Sequence, residues 1–182
     1  NIFPDGGVAR LRVYGEPSIN WDWFLPNEPI DLAYIKNGAR PLACSDMFFS
    51  SMENLIMPDR GKNMGDGWET KRRRGGRECD WIIIKLGATG SIEKVVVDTA
   101  HFKGNFPDSF TLEAVLLMPG QMPDDNTQWQ TVINQTKLSA DAEHFYKDEV
   151  VSAGQKFSHI RLNMYPDGGI SRLRVFGYPD RA

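Results

Sequence analysis

The chain has 182 residues, 41% of them hydrophobic and 25% charged, with a formal net charge of −3 and a pI near 5.6. That is enough to bury a sizeable core without staples, and the acidic balance argues against a general nucleic-acid or membrane-surface role. No apolar stretch approaches the ~20 residues that span a bilayer, the N-terminus lacks a signal-peptide pattern, and Cys44 and Cys79 have no CxxC spacing. We read the cysteines as buried reduced thiols and expect an intracellular protein, in the cytoplasm or the peroxisome.

In chain order, the first element is also the last. Asn1 to Pro17 reads NIFPDGGVARLRVYGEP and Asn163 to Pro179 reads NMYPDGGISRLRVFGYP, with eleven of seventeen aligned positions identical. A spacing of 162 residues is too long for a solenoid period, so the repeating unit is a domain. We therefore expect residues 1–17 to be the C-terminal tail of a preceding repeat, 18–29 a linker, and 30–182 a complete repeat, cut from a longer parent. The stretch Ser18 to Pro29 carries Trp21, Trp23 and Phe24, which suit packing between two repeats and in a lone repeat would favour association.

Strand signals fill the rest. Only Ser45 to Leu55 has helical length, and its periodicity is poor. Trp81 to Ile84 and Ile92 to Val97 are β-branched runs, which a turn around Gly87 and Gly90 should separate. Phe110 to Met118 alternates, Trp129 to Ile133 is a further strand, and Ile160, Leu162 and Met164 alternate with polar residues. Pro166-Asp167-Gly168-Gly169 then supplies turn chemistry for a closing hairpin with Arg172 to Val175. In that last strand Arg172 and Arg174 should lie opposite the core face and tie the strand to acidic neighbours. Many short strands punctuated by Gly and Pro imply an all-β, jelly-roll β-sandwich.

The chemistry concentrates in two loops. Gly65 to Arg77 reads GDGWETKRRRGGR, with glycine turns around Asp66 and at Gly75-Gly76. Extended geometry between them would put Glu69, Lys71 and Arg73 on one face and Trp68, Thr70, Arg72 and Arg74 on the other. Arginine forks bind carboxylates bidentately, and a nearby carboxylate can move protons. A solvated basic loop is the plainer reading of the same spacing. Asp98 to Asp108, DTAHFKGNFPD, adds Asp98, His101, Asn105 and Asp108, with His101 best placed of the three histidines for proton transfer near pH 7. There is no HExxH, GxSxG or phosphate-loop signature, so we assign no metal ligands.

Taken in order, the PDGG-x-x-RLRV tail, LACSDMFFSSMENL, DGWETKRRR, DWIIIKLG and VDTAHFKGNFPDS resemble an allantoicase repeat. The likeness spans residues 30 to 179, with the preceding tail at 1 to 17. It implies tandem galactose-binding-like jelly rolls and the hydrolysis of allantoate to ureidoglycolate and urea in purine breakdown. No cofactor is required by the match, although a divalent metal held by Asp and His atoms is compatible with it. Allantoate is the implied small-molecule partner, with neither nucleic acid nor membrane, and the repeat should pack against a homologous repeat or form a homo-oligomer.

Such a substrate needs its carboxylate held, a departing urea protonated, and water delivered to the carbon that urea leaves. Within the matched neighbourhood we assign Glu69 or Asp98 as general base and His101 as proton donor. Arg72 or Arg73 would grip the carboxylate, Asn105 would bind a ureido group, and Asp66 and Trp68 would line the site. The competing readings are a non-catalytic β-sandwich that binds a small anion or sugar, and a family member that has lost activity.

Overall fold

The computed structural model describes residues 1–15, 17, 19–75 and 78–180. Its organising element is β4 (Asp80–Asp98), one strand that belongs to both sheets. The first half of β4 pairs with β2 (Arg40–Cys44) and β8 (Lys156–Tyr165), and β8 continues to β5 (Ser109–Val115) and β6 (Gln130–Lys137). The second half pairs with β7 (Glu143–Tyr146) and β10 (Arg172–Pro179), and β10 carries the short edge strand β1 (Ile30–Asp31). All these pairings are antiparallel. Two sheets sharing one bent strand make the jelly-roll sandwich that the strand pattern implies. Ile82, Ile84 and Leu86 from one half of β4 and Val95 and Val97 from the other enter one core, with Phe110, Leu112, Ile160, Leu162, Leu173 and Val175.

Two expectations are corrected. No turn separates the halves of β4; the chain stays extended, and its ladder with β8 is interrupted between Lys85 and Gly90. The crossing needs glycine, because a Cβ at Gly87 would run into the Asn37 carbonyl. Nor do β8 and β10 form a closing hairpin: β4 lies between them, pairing with β8 mainly through its first half and with β10 through its second, and only Gly90 and Ser91 pair with both. The turn Pro166–Ser171 instead carries the chain across one end of the sandwich, where β9 (Gly169–Ile170) pairs with β3 (Trp68–Glu69). Both ends of β4 reach this same end of the molecule: Asp80 lies opposite Met164, just before that turn, and Asp98 opposite Arg172, just after it.

Outside the core, Arg172 and Arg174 fasten the loop that precedes β3. Arg172 donates to the carbonyls of Asp59, Asp66 and Ser171 and to the Asp66 carboxylate, and Arg174 donates to the carbonyls of Met57 and Asp59. Their counterparts in the first copy sit in a segment without regular structure, where Phe3, Leu11, Val13 and Tyr14 are exposed. Trp21–Trp23 form a single helical turn capped by the Asn20 side chain, with Trp23 exposed. Cys44 and Cys79 are free thiols, half-buried rather than fully buried, and burial pushes both thiols up in pKa. Ser18, Gly76 and Arg77 lie outside the described residues.

The register between β10 and β4 yields a test. A Cβ on Gly177 would collide with the Ser91 carbonyl, a backbone atom that no side-chain rotation can move aside. Gly177→Ala should therefore lower the unfolding free energy by roughly 1–3 kcal/mol. The readout is a lower denaturant midpoint with an unchanged m value, and a wild-type midpoint would mean that β10 shifts freely.

Candidate active site

The site is built on β3 and the segment that follows it. Trp68 is fully buried, its indole N–H donating to the Asp46 carbonyl at 2.9 Å, and the Thr70 amide donates to the Gly168 carbonyl at 3.0 Å. Glu69, between them, turns the other way and accepts a 2.6 Å hydrogen bond from Asn105 Nδ2. The expected alternation ends there. Backbone amides of Lys71 and Arg73 are captured by the carboxylates of Asp46 and Asp167, each at 2.8 Å, which bends the segment. Arg72 and Arg73, expected on opposite faces, consequently line one cavity of about 550 Å³ with Phe49, Glu69, Asn105, Asp108 and Asp167.

Arg73 is the most firmly held of these cations. Its guanidinium pairs with the buried carboxylate of Asp80, which also accepts from Ser45 Oγ at 2.6 Å. Burial alone would push the Asp80 carboxyl up, but the hydrogen bonds from Arg73 and Ser45 hold it below its ordinary pKa, and Arg73 is raised in turn. Asp108 is tied to Lys137 at 2.6 Å.

The remaining sequence-assigned residues lie elsewhere. Trp68 has no exposed surface to offer a ligand. Asp66 accepts from the Lys62 amide and from Arg172, contacts that lower its pKa and make it part of the loop fastening. Asp98 is buried and bound by Arg60 at 2.8 and 3.1 Å and by the Ala100 amide. It lines a different cavity of about 310 Å³, with Asp31, Arg172 and Arg174. His101 has a left-handed backbone (φ 71°) and its Nε2 donates to the Gly61 carbonyl at 2.8 Å. So the two loops do meet at one end of the sandwich, through Glu69 and Asn105, while Asp98 and His101 face the other sheet's side.

Asp80, Asp167 and Arg60 were not anticipated. Asp167 sits in a segment whose sequence signals only a turn, and Asp80 and Arg60 acquire a role only through partners that the fold sets opposite them, Arg73 at a separation of 7 residues and Asp98 at 38. For a divalent metal the fit is poor: Asp98 already spends its oxygens on Arg60 and Ala100, and His101 spends Nε2 on Gly61. Among the described residues no three His, Cys, Asp or Glu side chains converge. No helix there is long and apolar enough to cross a membrane.

Comparison with known proteins fixes the lineage. Residues 30–180 match the family model described as the allantoicase repeat. The chain belongs to the allantoicase family. It is 52% identical over 181 residues to a probable allantoicase of Photobacterium profundum, covering 98% of this chain and 54% of that protein. The chain thus spans about half the length of the curated relatives it matches. The crystal structure of allantoicase from Saccharomyces cerevisiae superposes with a TM-score of 0.73 at 44% identity, over 85% of this chain and 45% of that one. A family 32 carbohydrate-binding module from C. perfringens, solved with galactose, shares the fold at 11% identity and a TM-score of 0.56, over 82% of this chain and 98% of the module.

The second cavity of this allantoicase-family domain carries a pH signature. Burial pushes the Asp31 carboxyl up to about 6, against the opposing pull of the Val175 amide and Arg174. Between its unfolded value of 3.8 and about 6, the folded state binds the extra proton, so stability falls as pH rises through that window and levels off above it. Relative to Asp31→Asn, the wild type should lose roughly 2–2.5 kcal/mol between pH 4 and 7, at ~1.36 kcal/mol per pKa unit. Parallel stability–pH curves for the two proteins would contradict this.

Proposed function

We propose that this domain contributes the reaction site for hydrolysis of allantoate to ureidoglycolate and urea. What supports the reading is the Glu69–Asn105 pair, set in a cavity walled by Arg72 and Arg73, in a chain of the allantoicase family. Glu69 accepts a proton from water as the water oxygen bonds to the central carbon, and the C–N bond to one ureido group breaks. The departing nitrogen must gain a proton, and Glu69, now protonated, can return it; neither His101 nor Asp98 lines this cavity. Asn105 orients Glu69 through Nδ2, which leaves its Oδ1 to accept from a ureido N–H. No second carboxylic acid is then required.

On this reading the enzyme is cytoplasmic, and residues 1–17 are the tail of a preceding repeat joined through 18–29. The exposed Phe3, Leu11, Tyr14 and Trp23 would be covered by that repeat or by another subunit. A non-catalytic binding module would bind allantoate without releasing urea.

The test is steady-state urea release by the full-length enzyme. Glu69→Gln keeps the side chain's shape and removes the base, so kcat should fall ~10²–10⁴-fold with KM little changed. Wild-type kinetics in this variant would remove Glu69 from the mechanism.

A further inference from the structure

Arg72 and Arg73 form a shared wall between two chambers of unlike charge. On one side is the cavity already described, where Glu69, Asp108 and Asp167 outnumber the two arginines. On the other is a chamber of about 330 Å³ where Lys71, Arg72, Arg73 and Arg74 face only Asp46 and Asp80. The cations in this second chamber are not equivalent. Lys71 lies 3.6 Å from Asp46, and Arg73 is paired with the buried Asp80. Among the described residues, Arg72 and Arg74 are exposed and have neither a hydrogen bond nor an ion pair.

We propose that the smaller chamber is a carboxylate subsite in which Arg72 and Arg74 hold the acid group of the substrate, with the Asp80-bound Arg73 as its fixed wall. Two unpaired guanidiniums two residues apart repel each other, and an anion between them relieves that repulsion while accepting from both forks. Arg73 gains less from the same anion, because Asp80 already neutralises it. The opposite charge of the larger chamber completes the orientation, since ureido groups are rich in N–H donors and the carboxylates there accept them. The substrate class that fits both chambers is a small acid carrying a ureido arm. The identity of the reaction rests on the function proposed above; the subsite itself does not.

N-carbamoylglycine, which has one ureido arm, one carboxylate and no second leaving group, is a suitable probe for calorimetric titration of the full-length protein. Wild type should bind it, and Arg74→Ala should weaken binding by roughly tenfold or more, the effect of losing a charged hydrogen-bond partner. Arg74→Lys should recover part of the loss. The neutral amide of the same probe should bind Arg74→Ala and wild type alike. In turnover, Arg74→Ala should raise KM for allantoate and leave kcat nearly unchanged. Failure of wild type to bind the probe, a loss below about threefold in Arg74→Ala, as for an ordinary surface charge, or an equal loss for the neutral amide would overturn the subsite. Arg74-dependent binding without allantoate turnover would instead count against the proposed reaction and leave the subsite standing.

Discussion

Everything at the functional end of this domain hangs from one constraint, the sharing of β4 between two sheets. A strand whose ladder with β8 is interrupted between Lys85 and Gly90, where pairing with β10 begins, brings both of its ends to the same end of the sandwich. The crossing is possible because Gly87 lets another backbone segment, at Asn37, approach to contact. The two halves then bury alternate residues into a single core, so the bend is held by packing on both sides.

Each end of β4 presents a buried aspartate, and each aspartate captures an arginine from a loop, Asp98 from 38 residues upstream and Asp80 from only 7 upstream. Asp80 takes Arg73 and Asp98 takes Arg60. Arg73–Asp80 is largely buried on both sides, whereas Arg60 is about half exposed over its buried partner Asp98. A buried pair adds little net stability compared with apolar packing, but leaving its carboxylate unpaired is costly. Such pairs therefore serve best to fix where a loop sits. Arg73–Asp80 anchors the segment after β3 over the first sheet, and Arg60–Asp98, with Arg172 and Arg174, anchors the preceding loop over the second. Glu69 stands between these two anchorages, and Asn105 reaches it from the loop that follows β4.

The division of labour among neighbouring arginines follows from the same arrangement. Three consecutive arginines read alike as sequence, yet only the middle one finds a buried acid. Its neighbours stay in solvent, where their charges remain available to a ligand. The local bend that makes this so is set by Asp46 and Asp167, which take the amides of Lys71 and Arg73 and draw the chain out of regular extension.

The amino-acid sequence by itself determined the all-β class, the alternating faces of β5, β8 and β10, the twin tails, and the two loops that carry the chemistry. These are local signals: a period of two, glycine and proline at turns, and motif residues close together in the chain. It also singled out Glu69 and Asn105, although nothing in their spacing says that they touch. What only the tertiary structure decided was pairing at a distance. Composition and periodicity could not reveal that β4 lies between β8 and β10, because a Pro-Asp-Gly-Gly turn serves a hairpin and a crossing equally well. Nor could they show that Asp98 is already taken by Arg60 and Trp68 buried in the core. Whether a charged side chain is free or spent depends on which residue the fold sets opposite it, whether that partner is 7 positions away, as Arg73 is from Asp80, or 38, as Arg60 is from Asp98.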